Sequence, residues 1–160
     1  MSEMLEKARN YEAEKLAGTD PATRPLFHIA APAGWINDPN GFSVHDGRIH
    51  LFYQYNPYAR EWGPMHWGHS VSTDMIHWEQ LPAALAPDQE YDKIGCFSGS
   101  AIEADGKHVL VYTGVTKVKL EDQSEQERQN QCIAFGDGKD YVKYEKNPVI
   151  SELDLPEGGS

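Results

Sequence analysis

The sequence predicts an all-β fold that follows one short N-terminal helix. Two Asp-Gly pairs, Asp46-Gly47 and Asp105-Gly106, each separate two runs of alternating apolar and polar residues, and this pattern is a strong β-hairpin signal. Each predicted hairpin is followed by two further short runs of the same type. Two successive units of four antiparallel strands are typical of β-propeller blades, and a β-sandwich is the structural alternative.

The N-terminal helix is predicted from Ser2, which can cap its first turn, to about Ala17. Apolar residues return along one face at helical spacing, namely Met4, Leu5, Ala8, Tyr11 and Leu16. Gly18 favours a helix end at this point. We therefore expect residues 1–25 to form a helix and linker that dock on the β-rich part, residues 26–160.

The first unit of strands is assigned to Phe42–His45, Arg48–Tyr55, Trp67–Ser72 and Ile76–Glu79. The second unit is assigned to Ser98–Glu103, Lys107–Val115, Cys132–Phe135 and Tyr141–Tyr144. Two long stretches remain and are predicted as loops. Leu81–Ile94 is rich in Pro and Ala, and Lys117–Gln129 is charged and polar, as expected of a solvated loop.

Charge and composition narrow the possible partners. The 160 residues include 14 Lys and Arg against 25 Asp and Glu, which gives a net charge of −11. This charge argues against binding to nucleic acid, whose phosphates need a basic surface, and against an anionic membrane surface. The chain has no apolar run long enough to span a bilayer. With 39% hydrophobic and 11% aromatic residues, a packed core is expected.

The cellular compartment is predicted from the N-terminus and the cysteines. The first residues, 1–7, carry no apolar segment of the kind that a secretory signal contains. Cys96 and Cys132 are therefore expected to be reduced and buried thiols rather than a disulfide. These features together predict a cytoplasmic protein.

The most informative stretch is WINDPNG at residues 35–41. It is dense in turn-forming residues, so a plain turn is its structural interpretation. However, Pro39 restricts Asp38 to an extended backbone, which fixes the direction of its carboxylate. A rigid carboxylate near the indole of Trp35 suits a sugar, which offers an apolar ring face to Trp and hydroxyl groups to Asn37.

A second set combines aromatic rings with neutral polar residues on loops at predicted strand ends, namely Gln54, Trp62, Trp67 and the run Phe97-Ser98-Gly99-Ser100. This combination also suits a carbohydrate. Each member has a structural alternative: Trp67 and Trp78 are expected in the core, and Gln54 can cap a strand end. Trp62 lies on a predicted loop, where a tryptophan needs a functional reason.

The seven histidines do not predict a metal site. His66 and His69 are three residues apart on a predicted strand, so their side chains point to opposite faces of the sheet. We expect structural or surface histidines and no bound metal.

Four segments resemble glycoside hydrolase family 32, the β-fructofuranosidases. They occur in the family's order and read WINDPNG at 35–41, LFYQYNP at 51–57, WGPMHWGHSVSTDMIHWEQLP at 62–82 and FSGSA at 97–101. The resemblance extends from residue 26 to the end of the sequence. It implies a five-bladed β-propeller, of which this chain would form the first two blades. It also implies an active site at the propeller axis and no metal or organic cofactor.

The resemblance further implies a role for each candidate residue. Asp38 would be the catalytic nucleophile, and six residues would line the fructose subsite, namely Trp35, Asn37, Gln54, Trp62, Phe97 and Ser98. The reaction would be retaining hydrolysis of terminal β-fructofuranosides, such as sucrose, sucrose 6-phosphate or fructo-oligosaccharides. It would pass through a covalent fructosyl-enzyme.

Two motifs of the family are not found in the 160 residues. The acid/base glutamate is expected in a Glu-Cys motif, and a transition-state-stabilising aspartate in an Arg-Asp-Pro motif. We therefore expect the chain to be the N-terminal part of a longer hydrolase, to need the remainder of the parent propeller, and to be inactive alone. Activity of the chain alone would indicate another acid, such as Asp92 or Glu103.

Two other functions are compatible with repeated β-sheets. One is a non-catalytic sugar-binding propeller that keeps Asp38 only as a hydrogen-bond acceptor. The other is an interaction propeller of the WD-repeat kind, whose blades repeat every 40–45 residues or so with a Gly-His…Trp-Asp signature that this sequence lacks. Without a secretory signal, small sugars are favoured over an extracellular polymer such as levan.

Overall fold

A computed structural model of the chain describes residues 1–120, 122–151 and 154. It contains helix α1 (Glu3–Ala17) and the strands β1 (Trp35–His45), β2 (Arg48–Asn56), β3 (His66–Ser72), β4 (Glu79–Leu85), β5 (Gly95–Ala104), β6 (Lys107–Lys119), β7 (Glu125–Gly136) and β8 (Tyr141–Lys143). The strands form two antiparallel four-stranded sheets, β1-β2-β3-β4 and β5-β6-β7-β8. The predicted mostly β fold after a short helix is confirmed. None of the described helices has the length and apolar character needed to cross a membrane.

Both Asp-Gly pairs form two-residue hairpin turns, as predicted. Asp46 and Gly47 have φ of 47° and 71°, and Asp105 and Gly106 have φ of 50° and 72°. Positive φ at both central residues is the type I′ geometry, which matches the twist of the flanking strands. The hairpins β1–β2 and β5–β6 are therefore the same local structure at equivalent places in the two sheets.

The core lies between the two sheets, which pack face to face. Strands from both sheets supply its buried residues, namely Phe52, Trp67, Ala84, Leu85, Cys96, Leu110, Tyr112, Cys132, Ala134 and Tyr141. Trp67 is fully buried, as expected, whereas Trp78 is half-buried just before β4. Both cysteines are free and buried, as expected.

The prediction of a loop over Lys117–Gln129 is wrong for most of this stretch. Strands β6 and β7 continue through it, and their pairing extends to Lys119 opposite Glu125. This end of the hairpin has mostly polar side chains on both faces, so it shows no apolar alternation that sequence reasoning could detect.

The fourth strand is also placed differently from the prediction. Residues 73–77 form bends in which Asp74 accepts hydrogen bonds from the backbone N–H groups of Ile76 and His77. The strand begins at Glu79 and runs into the stretch predicted as a loop. Its residues Ala83–Leu85 are buried, and a strand that is buried on both faces has no two-residue periodicity.

Helix α1 covers the outer edge of the first sheet. Ser2 caps the helix by accepting a hydrogen bond from the Leu5 N–H at 3.2 Å. Glu12 Oε2 accepts from the Ala83 N–H at 3.0 Å, and Arg9 Nε donates to the Ala83 carbonyl at 2.9 Å. Both free backbone groups of Ala83 on edge strand β4 are thus occupied, which blocks further strand pairing at that residue.

The packed face of α1 differs in part from the predicted one. Leu5 and Ala8 are buried as expected, but Met4 is exposed. The position one turn after Ala8 is taken by Glu12, which is also buried. Its hydrogen bond to the β4 backbone satisfies one of the two carboxyl oxygens and offsets part of the cost of burying the group.

Candidate active site

The predicted nucleophile lies in a β-bulge. The register of β1 against β2 shifts between Ile36 and Pro39, so Asn37 and Asp38 together lie opposite Gln54. A bulge redirects side chains away from the regular alternation and is common beside active sites. Because β1 is an edge strand of its sheet, it tolerates the proline, which lacks a backbone donor. The turn-rich sequence of this stretch is therefore a bulged strand rather than a plain turn.

Strand β5 carries a second bulge in the equivalent part of the other sheet. Its register against β6 shifts between Phe97 and Gly99, so Ser98 is the additional residue. Gly99 is required here because a Cβ atom at this position would lie 2.0 Å from the Val111 carbonyl oxygen. The close backbone approach therefore fixes the shape of the bulge.

Strands β1 and β5 lie side by side and run in the same direction. Gly41 approaches Ala101 so closely that a Cβ atom added to the glycine would lie 3.2 Å from the alanine Cβ. Further along both strands, His45 Nδ1 lies 2.8 Å from Glu103 Oε2. Asp38 and Ser98 each lie three residues before the glycine–alanine contact, so the two bulges lie on the same side of it. From this contact to the His45–Glu103 contact β1 advances four residues and β5 advances two, and β1 has a second register shift here, between Asn40 and Ser43.

Aromatic rings lie close to both bulges. The ring of Trp62, on the loop between β2 and β3, meets the ring of Phe97 edge to face at 5.9 Å. Trp35 Nε1 donates a hydrogen bond to Asn37 Oδ1 at 2.7 Å, which holds this indole against the β1 bulge. Trp35 is 36% exposed and Trp62 is 54% exposed, so both indoles are accessible to a ligand.

Asp38 is exposed, and its carboxylate makes no hydrogen bond or ion pair with any residue that the structure describes. Burial or pairing would compete with a ligand for the carboxylate oxygens. The backbone of a bulged, proline-flanked strand therefore presents an unengaged carboxylate to solvent.

Gln54 lies within β2 and is buried, so the expectation that it caps a strand end is wrong. Its Nε2 donates to the Cys96 carbonyl at 3.0 Å. On the next strand, Trp67 Nε1 donates to the Phe97 carbonyl at 3.0 Å. Two side chains of the first sheet thus hold two successive carbonyl groups of β5, a link that sequence reasoning missed for Trp67.

The two other carboxylates that could act as the catalytic acid, Asp92 and Glu103, form hydrogen bonds or ion pairs away from the bulges. Asp92 is fully buried, and its Oδ2 accepts hydrogen bonds from the Tyr112 hydroxyl at 2.9 Å and from Lys143 Nζ at 2.6 Å. Burial raises the pKa of Asp92. Glu103 pairs with His45 near the hairpin turn. Neither carboxylate belongs to the pair of bulges.

Most histidines are structural. Four of them, His45, His50, His69 and His108, form a histidine cluster between the sheets, in which His50 Nδ1 lies 3.0 Å from His69 Nε2. Burial lowers the pKa of His108 to about 4 and that of His69 well below its ordinary value, so both are neutral near pH 7. Among the described residues, no three His, Cys, Asp or Glu side chains converge as metal ligands do.

Comparison with known proteins identifies the family of the chain. Residues 28–159 match the domain described as the Glycosyl hydrolases family 32 N-terminal domain. This chain belongs to glycoside hydrolase family 32. The resemblance stated from the sequence motifs is thereby confirmed.

Several family 32 relatives are closely similar to the chain. It is 49% identical to the sucrose-6-phosphate hydrolase of Escherichia coli over 134 residues, which cover 84% of the chain and 27% of that protein. It is 42% identical to the levanase of Bacillus subtilis, over 92% of the chain and 22% of the levanase. The chain thus spans about a quarter of the length of these curated relatives.

Solved family 32 structures have the same fold in this region. The β-fructofuranosidase of Bombyx mori matches with a TM-score of 0.80 and 44% identity, over 95% of this chain and 31% of that one. A mutant of the same silkworm enzyme, solved in complex with sucrose, matches with a TM-score of 0.81.

Proposed function

We propose that this chain carries the nucleophile of a retaining β-fructofuranosidase, which cleaves terminal fructosyl units from sucrose, sucrose 6-phosphate or fructo-oligosaccharides. The observation that carries the proposal is the pair of bulges, each three residues before the Gly41–Ala101 contact of the neighbouring strands β1 and β5. The first bulge carries the unengaged carboxylate of Asp38 and the second carries Ser98, and the exposed indoles of Trp35 and Trp62 contact Asn37 and Phe97. The names of the relatives, among them a sucrose-6-phosphate hydrolase and a levanase, support the same substrate class.

In this proposal, a carboxylate oxygen of Asp38 attacks the anomeric carbon of the fructosyl unit. The bond from that carbon to the leaving oxygen breaks, and a second carboxylic acid donates a proton to the leaving oxygen. The same group then removes a proton from water, whose oxygen displaces Asp38 from the anomeric carbon. Retention requires the two carboxyl groups to lie about 5–5.5 Å apart.

The second carboxylic acid is assigned to the part of the relatives that this chain does not span. Asp92 and Glu103 are engaged away from the bulges, which supports this assignment. The two sheets are proposed to be the first two blades of a five-bladed propeller in a cytoplasmic enzyme. The side-by-side placement of the equivalent strands β1 and β5 is what neighbouring blades require.

The remaining candidate residues are proposed to bind the fructosyl ring. Trp35, Trp62 and Phe97 offer apolar surface to its carbon face. Ser98 and Asn37 offer hydrogen-bonding groups to its hydroxyls. The Nε2 of Gln54 donates one hydrogen bond to a backbone carbonyl, which holds the amide in place, and the amide oxygen can accept a hydrogen bond from a hydroxyl.

Replacement of the nucleophile tests the proposal directly. The variant Asp38→Asn is placed in an extended protein, defined as this chain followed by the rest of a family 32 catalytic domain. We expect sucrose hydrolysis to fall by about three orders of magnitude or more, because an amide oxygen is a poor nucleophile. Release of glucose and fructose is measured with circular dichroism as a check of folding.

Asp46→Asn is the matched control, since Asn-Gly forms the same type I′ turn as Asp-Gly, and it should leave the rate unchanged. Hydrolysis retained by Asp38→Asn would refute the role of Asp38. An extended protein that binds fructose but never hydrolyses sucrose would support the sugar-binding alternative instead.

A further inference from the structure

We infer that Trp67 is a positioning residue, whose indole N–H sets the Phe97-Ser98 bulge in the orientation that the sugar site needs. This inference rests on the proposed function. It assigns to a fully buried core tryptophan a role in the reaction that its burial alone does not indicate.

The first reason is the polar contact of Trp67 inside an otherwise apolar setting. Its ring packs between Phe52, with ring centroids 5.5 Å apart, and Tyr112, with centroids 6.3 Å apart. A residue that only fills the core needs no donor at this place. Trp67 Nε1 nevertheless donates across the sheet interface to the Phe97 carbonyl at 3.0 Å.

The second reason is the location of the acceptor. A bulge leaves backbone groups outside the regular ladder, so its peptide planes need other partners to adopt one orientation. The Phe97 carbonyl belongs to the peptide that joins Phe97 to Ser98, where the register of β5 shifts. Fixing this peptide fixes the direction of the Ser98 side chain and the place of the Phe97 ring against Trp62.

The third reason is that the same indole also contacts the strand of the nucleophile. Gly41 on β1 has φ of 54°, and a Cβ atom added to it would lie 3.3 Å from Trp67 Cζ3 and 2.7 Å from Phe52 Cδ2. The edge of the Trp67 ring thus supports β1, while its N–H holds β5. One rigid side chain therefore contacts both the strand of the Asp38 bulge and the strand of the Ser98 bulge.

The consequence concerns the rate of the reaction more than the binding of substrate. Contacts to the fructosyl ring contribute most when they match the transition state. A displacement of about 1 Å at a positioning group can lower a rate by about 100-fold. Loss of the Trp67 N–H frees the bulge while the remaining ring still fills the core.

The test compares two variants of Trp67 in the extended protein, with sucrose as substrate. Trp67→Phe removes the donor and part of the ring. Site-specific replacement of Trp67 by 3-benzothienylalanine exchanges N–H for sulfur and keeps the shape, so it serves even if the phenylalanine variant does not fold. For both, we expect kcat to fall by about 10- to 100-fold, with KM changed by less than about threefold.

Trp78→Phe is the matched control, because Trp78 makes no hydrogen bond to any described residue, and its kinetic constants should stay those of the parent. If folded benzothienylalanine enzyme keeps kcat and KM within about twofold while Asp38→Asn is inactive, Trp67 only fills the core and the inference is wrong. If Asp38→Asn also remains active, the proposed function itself is wrong.

Discussion

Lys143 illustrates how one buried charge holds the second sheet to the segment before β5. Its Nζ donates to the Ala86 carbonyl, to Asp88 Oδ1 and to Asp92 Oδ2, each at 2.6 Å. The side chains of Lys143 and Asp88 are 12% and 10% exposed, and that of Asp92 is 0% exposed. All three donors of the ammonium group are satisfied, so the charge is compensated in the interior.

We predict that Lys143→Met lowers the free energy of unfolding by about 3–5 kcal/mol, because it leaves the buried carboxylate of Asp92 without its cation. Urea unfolding followed by circular dichroism measures this change. The control is Lys117→Met, which removes an exposed cation 3.7 Å from Glu125 and should cost less than about 1 kcal/mol. Equal, small effects of both variants would contradict the prediction.

The contacts of a side chain could be predicted from the sequence where its partner is close in the chain. The motif around Asp38 indicated a rigid carboxylate, and Trp35 does bind Asn37, two residues away. Contacts across the fold were not predictable. Trp67 meets its acceptor 30 residues further on, and Glu12 meets Ala83 after 71 residues. Residue type alone does not indicate which distant backbone group a side chain will meet.

At the scale of elements, the attachment of α1 to β4 depends on whether the carboxyl group of Glu12 is protonated. Burial raises the pKa of Glu12 from 4.5 to about 7, although the Ala83 N–H and the charge of Arg9 oppose this effect. Between pH 4.5 and about 7, the carboxyl is ionised in the unfolded chain and protonated in the fold. The folded state then binds more protons, so its stability falls as the pH rises through this range.

We predict that Glu12→Gln removes this contribution to the pH dependence of stability. Glutamine keeps an oxygen to accept from Ala83 but does not titrate. Relative to the parent, the variant should gain stability between pH 5 and pH 8, by roughly 3 kcal/mol at most. The free energy of unfolding of both proteins is measured by urea titration at pH 5 and at pH 8. An identical pH dependence of both proteins would show that Glu12 is not the titrating group.

Elements with local signals were predicted correctly, and those without them were not. The Asp-Gly turns and the capped helix α1 depend on neighbouring residues, so their positions are visible in the sequence. The polar end of the β6–β7 hairpin depends on pairing between strands, and β4 depends on burial under α1. Neither strand pairing nor burial under a helix leaves a periodic pattern in the sequence.

At the scale of the whole molecule, the candidate site contains residues of two sheets that are separate in the sequence. Asp38 comes from the first sheet and Ser98 from the second, and side chains of the first hold the β5 backbone. The order of the two units could be predicted from their repeated pattern. Their relative position could not, because it is set by the buried core between them rather than by any local motif.

We predict that the 160-residue chain by itself hydrolyses sucrose about two to four orders of magnitude more slowly than the extended protein. The reason is that a general acid contributes about this factor, and the carboxylates Asp92 and Glu103 are engaged elsewhere. Initial rates of both proteins are compared at equal concentration. Comparable rates would mean that an acid within this chain serves the reaction.

Helix α1 has a consequence for the order in which the protein assembles during synthesis. Its anchor on β4 lies 71 residues further along the chain, so at about 5–20 residues per second the ribosome needs roughly 4–14 s to deliver it. A helix of 15 residues is only marginally stable in water without a partner. Helix α1 is therefore secured only after β4 emerges from the ribosome, and it closes the first sheet last.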